Sequence, residues 1–316
     1  GTPTIVTVGG LAQRTIRLFW PLIRSTGKFT GQSSQPNFLT METAQYFMSR
    51  IVEPLQRRGY FEHLVISPNR LYAQILDNMN KAALIGMPHT DIAPRLSSAW
   101  IGKPDQIQYY LQAQECVNAY RNYCYANSLL DFSLQFELFQ SMLWKESTIR
   151  NYLQHSFDYL IYDNFEEDAA GIHDLILDWL PALQGFALIT DSGGGFRTFL
   201  GADPFSAQRL VESAEEIIEF DESIVSPISL ENLGIFFSNR IHGQLKQNID
   251  PTAFSAFTFE THRYYPDMIS AVVLQTQTLM ESGVGPGEIV IIAPYLSDSL
   301  RFSLQQGLEK AGIPNR

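Results

Sequence analysis

Asp158–Asp168 (DYLIYDNFEED) and Phe186–Pro204 (FALITDSGGGFRTFLGADP) each begin with a short, mostly apolar run that ends in an aspartate. The runs Tyr159–Asp163 and Ala187–Asp191 have the length of buried strands, and the helical segment Ala169–Leu180 lies between them. A strand, a helix and a second strand in this order predict a parallel pair, because parallel strands need a crossover connection. The two aspartates would then lie at the carboxyl end of the sheet, where open α/β sheets place their ligand chemistry.

These two segments resemble the Walker B segment and the following strand motif of superfamily-1 DNA helicases of the UvrD/Rep/PcrA type. In this resemblance Asp163 matches the aspartate associated with magnesium, and Phe165 matches the aromatic residue that follows. Asp191 matches the acidic residue of the second strand, and residues 201–204 (GADP) match the closing tetrapeptide. The resemblance implies a nucleotide site that uses ATP and magnesium, with Asp163 as the residue that helps to hold the metal.

Polar residues of both motifs are replaced. Asn164 stands at the catalytic glutamate of the family, Glu166 at a glutamine, Gly194 at the glutamine of the second motif and Leu200 at an arginine. An amide cannot accept a proton at neutral pH, so Asn164 does not supply a general base. The phosphate loop G-x-x-x-x-G-K-[ST] is also absent from the sequence. We therefore expect a fragment of a longer polypeptide that, alone, does not bind ATP and magnesium productively.

Four further segments follow the family's order. Ile5–Arg14 is similar to the strand-to-helix segment after the phosphate loop, and Phe38–Phe47 occupies the place of the next motif, with Thr40 retained. Leu130–Leu134 (LDFSL) is similar to the acidic motif that precedes Walker B, and Glu260–Pro314 has the rhythm of the start of the second motor domain. Together they extend the resemblance over most of the chain.

The resemblance implies an α/β fold: a RecA-like parallel sheet of the P-loop NTPase type with a helical insertion and the start of a second α/β domain. Residues 1–67 and 127–250 would form the first RecA-like domain, residues 68–126 the inserted helical domain, and residues 251–316 the beginning of the second RecA-like domain.

The local pattern adds detail to this organisation. Thr4–Val8 is rich in β-branched residues and predicts a third strand of the first sheet. Helical spacing dominates Arg70–Ser147 and is interrupted in the region of Pro88 and Pro94. Phe254–Phe259 and Ile289–Ala293 are the strand candidates of the second sheet. The tyrosines of the helical block can serve either as core residues or as stacking platforms for bases, and core packing is the more common use.

The composition is that of a soluble globular protein. The chain has 316 residues, of which 45% are hydrophobic and 17% charged, and it contains no apolar run long enough to span a bilayer. Its two cysteines match no zinc spacing, and its six histidines are never paired at helical spacing, so we expect no metal site made of these residues. A reducing cytoplasm is the expected location.

The net charge of the chain affects how well it can bind nucleic acid. With 33 acidic and 22 basic residues the net charge is −11, which opposes the approach of a phosphate backbone. Arg14, Arg17 and Lys28 nevertheless lie on a segment that contacts single-stranded DNA in the family, and Thr40 lies in the following motif. These four residues are the candidate DNA contacts; the alternative is an ordinary solvated helix face.

Three functional hypotheses remain open. The chain belongs to an ATP-dependent DNA helicase, or it is an inactive helicase-like scaffold that binds a protein or single-stranded nucleic acid. A third hypothesis, an unrelated α/β enzyme that uses Asp163 and Asp191 as an acid pair, lacks an accompanying nucleophile or base.

Overall fold

The computed structural model describes residues 3–31, 33–220, 225–241, 243 and 250–315. The chain divides into two compact units, Gly1–Ile217 and Ile218–Arg316. It is mostly helical and contains parallel strand pairs, which places it in the mixed α/β class. No helix in the described ranges has the length and apolarity needed to cross a membrane.

The first unit combines ten helices with four short strands in the described residues. The helices are α1 (Val8–Leu18), α2 (Trp20–Ser25), α3 (Met41–Gln56), α4 (Pro68–Leu84), α5 (Ile92–Ala99), α6 (Ile107–Asn127), α7 (Phe132–Leu138), α8 (Ser147–Gln154), α9 (Ala170–Trp179) and α10 (Pro204–Val211). The strands are β1 (Asn37–Phe38), β2 (Leu129–Leu130), β3 (Tyr159–Asp163) and β4 (Gly185–Ile189). Short 3₁₀ turns at Phe165–Glu167 and Phe196–Leu200 follow β3 and β4.

The strands form two parallel pairs. β1 pairs with β2, and β3 pairs with β4 in a register that sets Tyr159 opposite Gly185 and Asp163 opposite Ile189. Helix α9 is the crossover between β3 and β4, so the predicted strand–helix–strand unit is confirmed.

The strand predicted at Thr4–Val8 is wrong. Residues 3–7 have no regular structure, and α1 begins at Val8 with the Thr7 hydroxyl accepting a hydrogen bond from the Gly10 amide. The hydroxyl that favoured a strand by composition instead caps a helix, because a threonine side chain satisfies an otherwise free amide at that position.

The helical block is confirmed except at Leu129–Leu130, which form β2 and pair with β1. Most of the aromatic residues of the block pack in the core. Tyr120 is fully buried in α6, and Tyr109 and Tyr125 pack against the same core. Helices from residues 68–126 share this core with helices from both sides of that range. The division between the two units falls after Ile217. The domain boundaries derived from the resemblance stay predictions.

A buried ion pair joins α6 to α7. The Arg121 guanidinium, 1% exposed, donates to the Asp131 carboxylate at 3.1 Å and to the Ser133 hydroxyl at 2.9 Å. Asp131 also accepts from the Leu134 amide at 2.9 Å and so caps α7. The aspartate of the LDFSL segment therefore has a structural role, because it neutralises a buried cation and satisfies a helix end at once.

The second unit contains three helices in its described residues: α11 (Ile228–Ile241), α12 (Tyr265–Glu281) and α13 (Asp298–Lys310). No strand occurs in 225–241, 243 or 250–315, so the strands predicted at Phe254–Phe259 and Ile289–Ala293 are wrong. An extended apolar segment forms a strand only when another strand pairs with it. Val290 and Ile292 of the second segment are exposed.

Candidate functional site

The site begins at the carboxyl end of the β3–β4 pair. Asp163 is the last residue of β3 and pairs with Ile189 of β4. Asp191 lies two residues after Ile189, so both aspartates are at the same end of the sheet. This placement confirms the prediction from the sequence. Asp163 is exposed, and within the described part of the chain its carboxylate makes no hydrogen bond or ion pair. Asp191 accepts a hydrogen bond from the Gly193 amide at 2.8 Å.

Asn164 turns the chain out of β3. Its φ of 54° lies in the left-handed region, where asparagine is tolerated better than most residues with a Cβ. A glutamate at this position would be strained. The replacement of the family's glutamate therefore has a conformational consequence as well as a chemical one.

Glu166 faces the interior. It is 6% exposed, and its carboxylate accepts a hydrogen bond from the Thr190 hydroxyl at 2.9 Å. Gly194 contacts it directly, since a Cβ at Gly194 would lie 2.6 Å from Glu166 Oε1. The structure thus brings Glu166 and Gly194 together in a packed contact, with the Glu166 carboxylate buried and hydrogen-bonded to Thr190.

Glu167 is a residue that sequence reasoning missed. Its carboxylate accepts hydrogen bonds from three consecutive backbone amides, those of Gly195, Phe196 and Arg197, at 3.2, 3.3 and 3.1 Å. The Arg197 Nε lies 3.8 Å from the same carboxylate. Residues about thirty positions apart are joined here, and no local sequence signal reports such a contact.

Residues 201–204 (GADP) form a helix start. Gly201 has φ 106°, and the Asp203 carboxylate accepts from the amides of Phe205 and Ser206 at 3.1 and 3.0 Å. Pro204 occupies the first turn of α10, where its missing N–H costs nothing. The tetrapeptide is therefore explained by helix capping.

His173 joins three elements of the site. The imidazole is fully buried; its Nε2–H donates to the Phe165 carbonyl at 2.7 Å, and its Nδ1 is hydrogen-bonded to the Ser206 hydroxyl. The contact ties α9 to the 3₁₀ turn after β3 and to α10. Nearby, the Tyr162 hydroxyl donates to Asp168, and burial raises the pKa of the Asp168 carboxyl above its ordinary value.

Exposed aromatic side chains follow β4 in the sequence. We call residues 195–205 the aromatic loop. Phe196, Phe199 and Phe205 are 79%, 67% and 92% exposed, and the Arg197 side chain between them is 66% exposed. Exposed aromatic rings beside a guanidinium are the elements on which single-strand binding proteins stack bases. The spacing of Phe196 and Phe199 after three glycines was the available sequence signal.

The predicted DNA contacts lie elsewhere in the first unit. Arg14, Arg17 and Lys28 are all exposed, and the Arg17 guanidinium lies over the Phe38 ring, 5.0 Å from its centroid. Thr40 caps α3 by accepting from the Thr43 amide and lines a cavity of about 470 Å³ together with Thr7, the cap of α1. The three cations do not line this cavity.

The donor set does not fit productive binding of magnesium-ATP. Asp163 offers a single exposed carboxylate, and no cluster of three or more histidine, cysteine, aspartate or glutamate side chains in the described residues is arranged to hold a metal. The amides of Gly195, Phe196 and Arg197, which could otherwise bind phosphate oxygens, already donate to Glu167. These three amides are therefore not free to bind a phosphate in this conformation.

Comparison with known proteins adds no assignment to this geometry. No protein-family model matches the chain, and no curated protein gives a significant match.

Proposed function

We propose that the chain is a RecA-like module of the superfamily-1 helicase type that binds single-stranded nucleic acid without hydrolysing ATP. The observation that carries the proposal is the aromatic loop, where the side chains of Phe196, Arg197, Phe199 and Phe205 are all exposed in the segment that follows a parallel β–α–β unit. Ligands of open α/β folds bind at this end of the sheet.

The β3–α9–β4 unit supports the RecA-like assignment. Its parallel pairing, its crossover helix and the placement of Asp163 and Asp191 at one end are what the helicase resemblance requires of these two motifs. The assignment is by analogy of this unit, since many folds contain a β–α–β connection.

The aromatic loop supports a single-stranded ligand. An unpaired base offers a face on which a phenylalanine ring stacks, and such stacking contributes roughly 1–3 kcal/mol per base. Bases in a duplex already stack on each other and are not available for this contact. The net charge of −11 means that stacking, rather than phosphate neutralisation, has to provide most of the affinity.

The absence of hydrolysis rests on three residues of the site. Asn164 replaces the family's general base, Glu166 is buried against Gly194, and Glu167 is hydrogen-bonded to the amides of the aromatic loop. None of the three is placed to polarise an attacking water.

Fluorescence anisotropy tests the proposal. A labelled, unstructured oligonucleotide of about 16 nucleotides, long enough for one such binding surface, is titrated with the chain at low salt. We expect binding that the double variant Phe196→Ala/Phe199→Ala weakens at least tenfold, because two stacking contacts are lost. Phe302→Ala is the matched control, since Phe302 is 66% exposed but lies in the second unit.

The outcomes separate the proposal from its competitors. Absence of binding at low salt contradicts it and favours a scaffold for a protein partner. Equal losses of affinity in the double variant and in Phe302→Ala would show that the contact is not specific to the aromatic loop.

A second candidate is an ATP-dependent DNA helicase of which this chain forms a part. The exposed Asp163 carboxylate favours it, since magnesium bound to nucleotide phosphates needs only one or two protein carboxylates. Phosphate release by the chain that requires single-stranded DNA and disappears in Asp163→Ala would support this candidate over the first.

A further inference from the structure

We propose that Glu167 is the positioning residue of the aromatic loop, holding it in the conformation that binds single strands. The inference rests on the proposed function. It assigns a role to a carboxylate that the helicase resemblance leaves without one.

The contact between Glu167 and the loop is directional. Glu167 Oε1 accepts from the amides of Gly195 and Phe196, and Oε2 accepts from the amide of Arg197. Hydrogen bonds to an ionised acceptor are about twice as strong as neutral ones. Three of them on successive residues fix the backbone at the start of the 3₁₀ turn Phe196–Leu200.

Burial does little to hold this turn. None of the residues of Phe196–Leu200 is buried, so the usual hydrophobic stabilisation is missing there. Gly193, Gly194 and Gly195 precede the turn, and glycines lose more conformational entropy on ordering than other residues. Gly195 also lies against Pro204, where a Cβ would lie 2.3 Å from Pro204 Cγ. After the turn, the Asp203 amide donates to the Asp168 carbonyl at 2.9 Å.

The conformation in which Glu167 holds the aromatic loop affects the free energy of ligand binding. A loop that is already ordered loses less entropy when a ligand binds than a loop that must be ordered at that moment. Phe196 and Phe199 then present their rings in the free protein. Without the Glu167 contact the same side chains remain, but each binding event must first order the turn.

A simple electrostatic role for Glu167 predicts the opposite effect. A carboxylate beside a nucleic-acid site repels phosphates, so its removal would tighten binding. The positioning role predicts weaker binding after removal of Glu167. The sign of the change in affinity therefore distinguishes the two roles.

The test combines amide hydrogen exchange with oligonucleotide binding. In the free protein we expect the amides of Gly195, Phe196 and Arg197 to be protected, and we expect Glu167→Ala to lose this protection. The affinity of Glu167→Ala for the oligonucleotide should fall about tenfold, equivalent to about 1.4 kcal/mol. Glu167→Gln retains an acceptor oxygen and should recover part of both losses.

Two further readouts separate positioning from general damage. The slope of log Kd against log salt should be the same in Glu167→Ala and the wild type, because no phosphate contact is lost. Glu215→Ala removes an exposed carboxylate that makes no contact in the described residues, and it should leave protection and affinity unchanged.

The exchange and binding results can each contradict the positioning role of Glu167. Retained protection of the three amides in Glu167→Ala, or unchanged or tighter binding by that variant, overturns the inference. If the wild type itself fails to bind the oligonucleotide, the proposed function is wrong and the positioning role for nucleic acid is wrong with it. Exchange at the three amides then still shows whether Glu167 orders the loop.

Discussion

Asp163 of β3 lies opposite Ile189 of β4 in a parallel register, and this pairing places Asp163 and Asp191 at one end of the sheet. The two residues differ in what surrounds them. Asp163 is exposed and makes no hydrogen bond or ion pair with the residues that the structure describes, whereas the chain after β4 continues into the glycines and the aromatic loop. In the helicases this end of the sheet carries nucleotide chemistry. Here the segment that follows β4 carries exposed phenylalanines instead.

The first prediction concerns Asn164. Replacing it with glutamate restores the residue of the family, but we expect no ATP hydrolysis above background because the phosphate loop is absent from the sequence. We expect a loss of about 1 kcal/mol in the free energy of unfolding, since glutamate is strained at a φ of 54°. Urea unfolding followed by tryptophan fluorescence measures this, because all four tryptophans lie in the first unit.

Asn164→Gly is the control for strain, because glycine adopts a positive φ freely and should change stability by less than about 0.5 kcal/mol. Hydrolysis of ATP by the glutamate variant, stimulated by single-stranded DNA, would contradict the account of this site.

The second prediction compares two glycines of one loop. Gly195→Ala should cost more than about 1 kcal/mol, because the position has a φ of 82° and a new Cβ would meet Pro204. At Gly193 a new Cβ meets only Asp191 Oδ1, at 3.5 Å. Gly193→Ala should therefore stay within about 0.5 kcal/mol of the wild type. Equal urea midpoints for the two variants would show that the loop is not packed as described.

The third prediction concerns the buried ion pair. Asp131→Ala should destabilise the first unit by about 3–5 kcal/mol, because it leaves the Arg121 guanidinium buried without its main partner and removes the cap of α7. Urea unfolding measures the loss. Asp174→Ala removes an exposed ion pair with Arg209 and should cost less than about 1 kcal/mol. A loss of that small size in Asp131→Ala would contradict a buried, charged pair.

The fourth prediction concerns pH. Burial alone raises the pKa of Glu137, but the hydrogen bond with His89 and the charge of Arg121 outweigh it and hold that pKa below its usual value. The folded state therefore binds the proton more weakly than the unfolded chain. The resulting stability is present above about pH 4.3, the ordinary glutamate pKa, and is lost as pH falls through the folded pKa.

Glu137→Gln should accordingly show a weaker dependence of the unfolding free energy on pH in the acid range than the wild type. Urea midpoints measured between neutral pH and the acid limit of folding test this. Parallel pH profiles for the two proteins would be inconsistent with a lowered pKa at Glu137.

The fifth prediction separates phosphate contacts from stacking. If Arg14, Arg17 and Lys28 each contact a phosphate, their replacement by alanine should reduce the slope of log Kd against log salt by about 2, at roughly 0.7 per contact for single strands. Phe196→Ala/Phe199→Ala should weaken binding with the slope unchanged. An unchanged slope in the triple alanine variant removes these three residues from the binding surface.

Sequence patterns predicted the parts of the fold that depend on local periodicity. The β3–α9–β4 unit and the helical block were identified because runs such as Tyr159–Asp163 have strand length and helical spacing dominates residues 70–147. The short strand Leu129–Leu130 inside that block was not predicted. The strand predictions for Thr4–Val8 and Ile289–Ala293 failed for a common reason. Composition favours strands in both segments, but no strand among the described residues pairs with either of them.

The site was predictable only in part. The aspartates at the strand ends could be placed because parallel strands bring their carboxyl ends together. The contacts of Glu167 with the amides of residues 195–197 could not, since acceptors and donors lie 28–30 residues apart and depend on how the turns after β3 and β4 meet. The exposure of Phe196 likewise follows from tertiary packing.

Photocrosslinking shows whether single-stranded nucleic acid binds at the aromatic loop. An oligonucleotide of about 16 nucleotides that carries a photoreactive thymine analogue is bound to the full chain at low salt, irradiated and mapped by mass spectrometry. If the aromatic loop binds single strands, we expect crosslinks within residues 195–205, at Phe196, Phe199 or Phe205. We expect Phe196→Ala/Phe199→Ala to lose these crosslinks. Crosslinks confined to other parts of the chain, or no crosslink under conditions where anisotropy shows binding, would contradict it.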